Sequence, residues 1–177
     1  KARPGDLNYA AGGSGSSGHL AAELFKAMAK VDIMRIPYKG QGPATNDRIA
    51  GQVQLTFGTT GSVAAYVKSG RLRALAVTTA EPSSLVPGVP TIAASGVPDY
   101  EAAQISGMFA PAKTPAAIVN RLNQEVVRFL NRPEIKEKLI GTGVEVVAST
   151  PEAFSERVKS EISRMGKVIR EANIRDE

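Results

Sequence analysis

Short apolar runs alternate with longer runs that repeat apolar positions every three or four residues through the first hundred residues of the chain. The short runs have the length of strands, and the longer runs have the periodicity of amphipathic helices. We predict strands at residues 7–11, 33–36, 53–57 and 72–77, and helices at residues 18–30, 43–50, 61–69 and 90–95. Strands that alternate with helices indicate an α/β fold with a mainly parallel sheet.

The pattern becomes predominantly helical beyond residue 105, with further strands predicted at residues 105–110 and 144–147. One helix is predicted to follow Thr114 as its N-cap with Pro115 as its first residue, a short one to start at Pro133, and a last one to open at residues 149–152. Two apolar stripes are predicted to pack into a core: Ile118, Leu122, Val126 and Phe129 in the first of these helices, and Phe154, Val158, Ile162, Met165 and Ile169 in the last.

A loop rich in glycine and serine joins the first predicted strand directly to the first predicted helix. Glycines let backbone N–H groups turn towards one point, serines add hydroxyl donors, and the first N–H groups of a helix have no acceptor within it. The positive end of the helix dipole adds to the attraction for an anion. We therefore predict a carboxylate, phosphate or sulfate site here, with a flexible connector as the alternative interpretation. The predicted ligand-binding residues of this loop are Gly13, Ser14, Gly15, Ser16 and Ser17.

Residues that follow the second and third strands are predicted to face the same cleft, because ligands of parallel sheets lie at the carboxyl ends of the strands. Tyr38 and Lys39 follow the second strand, and Gly58, Thr59 and Thr60 follow the third. Each set also has an interpretation without a ligand. Lys39 would be an ordinary surface lysine, and Gly58, Thr59 and Thr60 would belong to a strand-to-helix turn.

His19 is the single histidine of the chain. It either contacts the ligand or is a polar residue of the first helical turn that donates a hydrogen bond to a nearby carbonyl. A Ser-His-acid triad built within this one loop is geometrically unfavourable, and one histidine with scattered carboxylates does not form a metal site. No catalytic residue, no metal and no cofactor is therefore predicted.

Composition argues against several function classes. The chain has 177 residues with 22 basic and 17 acidic side chains, and the two signs are interspersed, so we predict no nucleic-acid partner. Because cysteine is absent, there is no disulfide and no thiolate chemistry. No apolar stretch approaches the roughly 20 residues that span a bilayer. The chain begins without an initiator methionine or signal peptide, which is uninformative about its compartment.

The spacing Gly13-x-Gly15-x-x-Gly18 also matches the dinucleotide-binding fingerprint. That fingerprint requires an acid near the end of the second strand to bind the ribose of NAD. Here Lys39 stands in that region instead, and it could meet the extra phosphate of NADP. An NADP-binding oxidoreductase fragment is therefore the alternative function, and a signalling or scaffold module that has lost its ligand is a third possibility.

Taken together, several segments resemble the Bug-type periplasmic solute receptors of tripartite tricarboxylate transporters. The matching segments are residues 7–9, 13–16 and 19–25; 36–40 and 43–44; 51–55 and 57; 70–78; 89–91; 107–112 and 114–115; and 149–152. They follow the order of the family over nearly the whole chain.

The resemblance implies a non-enzymatic receptor of the periplasmic-binding-protein-like fold (type II), in which two α/β domains close on a small organic acid. It implies that residues 5–106 form the complete second domain and that residues 107–177 are the return segment of a first domain whose opening region is missing. The two apolar stripes would then lack most of the sheet strands on which they pack. Membrane components of the transporter are then the partners, the periplasm is the location, and a full-length monomer is expected, whereas the fragment is expected to self-associate.

The chain departs from the family pattern at Gly58, where many relatives have an acidic residue that binds the ammonium group of an amino acid. The departure argues against an amino-acid ligand. It leaves mono-, di- and tricarboxylates and aromatic acids as expected ligands.

Overall fold

The computed structural model of the chain describes residues 3–175. Its strands are β1 (Asn8–Ala11), β2 (Met34–Pro37) and β3 (Leu55–Thr56), and its helices are α1 (Ser17–Ala29), α2 (Gln41–Ile49), α3 (Thr60–Lys68), α4 (Ala116–Leu130), α5 (Pro133–Gly141) and α6 (Pro151–Glu171). The predicted α/β fold is confirmed, with strands and helices alternating from β1 to α3.

The chain divides into two compact units. The first contains the described residues up to Gln104 together with those from Met165 onward, and the second is Ile105–Arg164. The end of α6 belongs to the first unit because Val168 packs with Leu24, Ile92 and Tyr100. The predicted domains, residues 5–106 and 107–177, remain a prediction.

A three-stranded parallel sheet forms the centre of the first unit, in the order β2-β1-β3. β1 is the central strand, and its residues Tyr9, Ala10 and Ala11 are buried. Alternate residues of a strand face opposite sides of the sheet. Accordingly, Tyr9 and Ala11 cluster with Ala22 of α1, whereas Ala10 clusters with Ala44 of α2. The small side chains of Ala10 and Ala11 leave room for one helix to pack on each face of the sheet.

Four predicted elements differ from the structure. Residues 72–77 form only one isolated parallel bridge, Val77 with Thr91, and residues 105–110 and 144–147 lie in no strand of the described chain. Residues 90–95 form turns rather than a helix. An alternating pattern indicates an extended backbone, but a strand also requires the edge of another strand to bond with.

The helices of the second unit lie close to their predicted positions. α4 begins one residue later than predicted, because Pro115 has an extended backbone (ψ 138°) and is itself the N-cap in place of Thr114. α5 starts with Pro133 as predicted. At the start of α6, the backbone N–H of Ala153 donates to Oγ1 of Thr150 at 3.2 Å, as expected of an N-cap.

The apolar stripes of these helices are partly exposed. Ile118 in α4 is 51% exposed, and Ile162 in α6 is 68% exposed. Within the second unit, Phe109 and Phe154 form a ring contact with centroids 5.3 Å apart. No sheet forms beside these helices within residues 105–164, and the expectation that the covering strands belong to the opening region of the first domain stays a prediction.

Candidate functional site

Three strand-to-helix loops meet at the carboxyl edge of the parallel sheet. The N–H of Tyr38, just after β2, donates to the carbonyl oxygen of Ala11 at the end of β1 at 2.9 Å. A Cβ atom placed on Gly12 would lie 4.0 Å from Cα of Gly40, and one placed on Gly18 would collide with the carbonyl oxygen of Phe57. The loops that follow β1, β2 and β3 are therefore neighbours.

The order of the strands reverses at this edge of the sheet. The chain passes from β1 to β2 on one side of the centre and then returns to β3 on the other side, with α1 and α2 on opposite faces of the sheet. In open α/β sheets, ligands bind where the strand order reverses in this way. That position lies between the ends of β1 and β3, flanked by the starts of α1 and α3.

The loop between β1 and α1, residues 12–16, is held by hydrogen bonds of its own. The N–H of Ser16 donates to the carbonyl oxygen of Gly13 at 3.1 Å, and the N–H of Gly15 donates to Nδ1 of His19 at 3.2 Å. Ser16 is the N-cap of α1, and its Oγ accepts from the N–H of His19 at 3.4 Å. Gly15 has a φ of +72°, a left-handed conformation that favours glycine.

Among residues 13–18, four N–H groups remain open. No acceptor within residues 3–175 takes the N–H groups of Gly13, Ser14, Ser17 or Gly18. The first turn of α1 contains no acidic side chain that could compete for them. Open donors at the positive end of a helix favour an anion. Thus Gly15 and Ser16, which were predicted to bind the ligand, use their N–H groups inside the loop, and the structure adds Gly18 to the open donors.

The start of α3 provides a second, smaller set of donors. The N–H groups of Thr60 and Gly61 have no acceptor within the described chain, and the first turn of α3 also contains no acid. Thr59 is the N-cap, and its Oγ1 donates to Oγ of Ser62 at 3.1 Å. Gly58 and Thr59 are exposed at the end of β3. The predicted role of Gly58, Thr59 and Thr60 in ligand binding remains a prediction.

Tyr38 and Lys39 differ in how they are placed. The hydroxyl of Tyr38 donates to Oδ2 of Asp47 in α2 at 2.8 Å, and the side chain packs against the cluster of Ala10 and Val53. Burial and this hydrogen bond raise the pKa of Tyr38 above its ordinary value of 10.0. Lys39 is exposed beside Tyr38 at the loop. Tyr38 therefore serves at least to anchor the loop on α2, while the Lys39 ammonium is accessible.

His19 is 5% exposed in the first turn of α1. Its Nδ1 accepts a hydrogen bond from Gly15, whereas the sequence had suggested donation to a carbonyl or contact with the ligand. Direct contact between His19 and a ligand stays a prediction.

Arg35 is a charged neighbour of the loop that sequence reasoning missed. It pairs with Tyr9 in the parallel register and therefore lies on the α1 side of the sheet. Its Nη2 donates to the carbonyl oxygen of Gly12 at 3.1 Å. A positive charge is thus fixed directly beneath the loop. The available signal was a basic residue in the middle of an otherwise apolar strand.

Other features of the surface do not coincide with this edge of the sheet. A shallow hollow of about 250 Å³ is lined by Glu23, Lys26, Val168 and Glu171, away from the loop residues. Residues 3–175 contain no group of three or more His, Cys, Asp or Glu side chains able to hold a metal ion. None of the helices in this part of the chain combines the length and the apolar character needed to cross a bilayer.

Comparison with known proteins places the chain in a family. The model of the tripartite tricarboxylate transporter family receptor matches residues 1–174. The chain belongs to this family. Protein BugT of Bordetella pertussis is 35% identical over 171 residues, which are 97% of the chain and 52% of BugT. The resemblance to Bug-type receptors is therefore confirmed. The chain spans about half the length of most of the curated relatives it matches.

Solved structures of related receptors share the fold. The structure of R. palustris Rpa4515 with adipate is 39% identical to the chain with a TM-score of 0.85, and the match covers 99% of the chain and 59% of that protein. MatC (Rpa3494) from Rhodopseudomonas palustris with bound malate is 29% identical with a TM-score of 0.71, covering 93% of the chain and 57% of MatC. The matched family consists of receptors rather than enzymes, and nothing in these matches supports an NADP-binding oxidoreductase.

Proposed function

We propose that the protein is an extracytoplasmic receptor that binds a small organic carboxylate at the loops following β1 and β3. The observation that carries this proposal is the set of open N–H groups at Gly13, Ser14, Ser17 and Gly18, positioned where the strand order reverses. Membership of the receptor family and the adipate and malate bound by two related proteins support the same ligand class.

Electrostatics favour an acid without an ammonium group. Arg35 beneath the loop and the exposed Lys39 beside it are cationic, and the first turns of α1 and α3 carry no acid. Gly58 leaves no carboxylate at the end of β3. An amino acid would find anion donors here but no partner for its ammonium, so the ligand class is mono-, di- or tricarboxylates or aromatic acids.

Family membership supports a proposal for the partners and the location. We propose that the protein works in the periplasm and delivers its ligand to the membrane components of a tripartite tricarboxylate-type transporter. The domain assignment remains part of the proposal: residues 5–106 as one ligand-binding domain and residues 107–177 as the return segment of the other.

Amide chemical shifts measured during a ligand titration test the proposed site. Addition of adipate or malate is expected to shift the backbone amides of Gly13, Ser14, Ser17 and Gly18, because these N–H groups become hydrogen-bonded. The uncharged analogue 1,6-hexanediol is the ligand control and is expected to leave them in place. Shifts confined to residues outside the three loops would contradict the proposed site.

A matched pair of variants tests the role of charge. Ser14→Asp places a carboxylate beside the open donors, and Ser14→Asn has nearly the same shape without the charge. We expect Ser14→Asp to bind the dicarboxylate at least about tenfold more weakly than Ser14→Asn, roughly 1.4 kcal/mol. Equal affinities of the two variants would refute an anion site at this loop.

A further inference from the structure

The start of α1 has the spacing of a capping box, with an unusual residue at its third helical position. In such a box, the N-cap serine accepts from the N–H three residues later, and the side chain of that later residue accepts the N–H of the N-cap itself. Here Oγ of Ser16 accepts from the N–H of His19, and Nδ1 of His19 accepts from the N–H of Gly15. Histidine thus replaces the usual Glu or Gln, and it accepts from the residue before the N-cap, because the N–H of Ser16 donates to Gly13 instead.

The hydrogen bond from Gly15 defines the state of the imidazole ring. A ring nitrogen that accepts an N–H carries no proton, so Nδ1 is unprotonated and the neutral ring has its proton on Nε2. The side chain is 5% exposed, which shields this bond from water. The cap is therefore completed by an uncharged acceptor.

An acidic residue at this position would satisfy the helix equally well. A carboxylate in the first turn is favoured by the helix dipole and by the capping box itself. It would also introduce a negative charge within one turn of the open N–H groups of Ser14 and Ser17. Helix stability therefore favours an acidic acceptor at this position, whereas anion binding disfavours it. A neutral acceptor completes the cap without adding a negative charge.

We propose that His19 is a positioning residue that holds the loop of residues 12–16 in its donor-presenting shape while keeping the loop free of negative charge. By accepting the N–H of Gly15, it completes the internal bonding that leaves Gly13 and Ser14 open to a carboxylate. This role rests on the proposed function, since it matters only if the loop binds an anion.

The isosteric pair His19→Asn and His19→Asp separates the two demands. In both variants Oδ1 stands as many bonds from the backbone as Nδ1 does, and both remove the same part of the ring. They differ in charge and in the second terminal atom, which is an NH2 group in asparagine and an oxygen in aspartate. We expect similar melting temperatures, with His19→Asp equal or higher because of the helix dipole. In an NMR titration with adipate, His19→Asn is expected to bind within about threefold of the wild type, and His19→Asp at least about tenfold more weakly than His19→Asn.

Two measurements that need no ligand test the cap directly. Nitrogen NMR of the ring is expected to show an unprotonated Nδ1 and a protonated Nε2 at about pH 7.5. In His19→Leu, which lacks the acceptor, the amide proton of Gly15 is expected to exchange with solvent about tenfold faster than in the wild type. A cationic ring, or a proton on Nδ1, would overturn the proposal whatever the protein binds.

The outcomes distinguish this proposal from the proposed function. Wild-type protein that binds no mono-, di- or tricarboxylate and no aromatic acid would refute the function and the role of His19 with it. Equal affinity of His19→Asn and His19→Asp, in a protein that does bind, would overturn only the role of His19. Loss of binding in His19→Asn with the Gly15 amide unchanged would show that the ring contacts the ligand itself, which would also overturn the positioning role.

Discussion

Gly18 is the position at which the smallest change in the sequence should most disturb the site. It occupies the second residue of α1, and its Cα lies against the end of β3. A Cβ atom in Gly18→Ala would be 3.5 Å from the carbonyl carbon of Phe57 and far inside van der Waals contact with its oxygen. Glycine is therefore required by the close approach of helix and strand, as for the third glycine of nucleotide-binding loops.

The cost of Gly18→Ala follows from how firmly Phe57 is held. Thr56 before it pairs with Ala10 in the sheet, and the Phe57 ring contacts Tyr9 and Phe25 with centroids 6.1 and 5.9 Å away. Overpacking at such a position costs about 1–3 kcal/mol. The better helix propensity of alanine offsets this by at most about 1 kcal/mol. We expect a net loss of about 1–2 kcal/mol, or roughly 2–8 °C in melting temperature for a chain of this size.

Urea unfolding followed by circular dichroism measures this loss. Gly42→Ala is the matched control, because Gly42 occupies the same second position in α2 and a Cβ atom there meets nothing within 4 Å. Gly42→Ala is expected to leave stability unchanged or to raise it by up to about 1 kcal/mol. A Gly18→Ala protein as stable as Gly42→Ala would refute the close contact between α1 and β3. Amide shifts of the loop residues should change in Gly18→Ala alone.

Three further predictions use other parts of the chain. Gly58→Asp should weaken dicarboxylate binding by about one to a few kcal/mol relative to Gly58→Asn, because it adds a negative charge beside the cleft; tighter binding in calorimetry would contradict the assignment of this loop. Burial and the hydrogen bond to Glu23 raise the pKa of Tyr9, so above its ordinary value of 10.0 the unfolded chain ionises first and stability falls as pH rises. Urea unfolding at pH 8 and pH 11 should show this loss, smaller in Tyr9→Phe. Thr150→Ala removes the acceptor for the N–H of Ala153 and should cost about 1 kcal/mol in the second unit, whereas Thr150→Ser should cost less.

The hydrophobic pattern alone was sufficient to place most helices. α1, α4, α5 and α6 lie within a few residues of their predicted bounds, and Pro133 and Thr150 mark the helix starts as expected. Helical hydrogen bonds close within four residues and caps within three, so local sequence carries the information. For the same reason, the loop from Gly12 to His19 could be recognised as a strand-to-helix turn rich in N–H donors.

Features that depend on distant residues were decided only by the tertiary structure. The apolar and polar residues of 72–77 alternate as in a strand, but a strand must also hydrogen-bond to a neighbouring strand. Only Val77 does so, in a single bridge with Thr91. The exposure of Ile162 likewise depends on what lies beside α6, because periodicity defines an apolar face of a helix but not which residues pack against that face.

The donor set of the site is the clearest example of this division. Sequence reasoning included Gly15 and Ser16 among the anion donors, but the structure shows their N–H groups bonded to His19 and Gly13. It also brings Arg35 under the loop through the register of β2 with β1. The sequence by itself determined that N–H groups would gather at this loop. Which of them stay open, and which charge lies beneath them, was decided by the folded chain, because each N–H forms its bond with whichever acceptor the fold brings within reach.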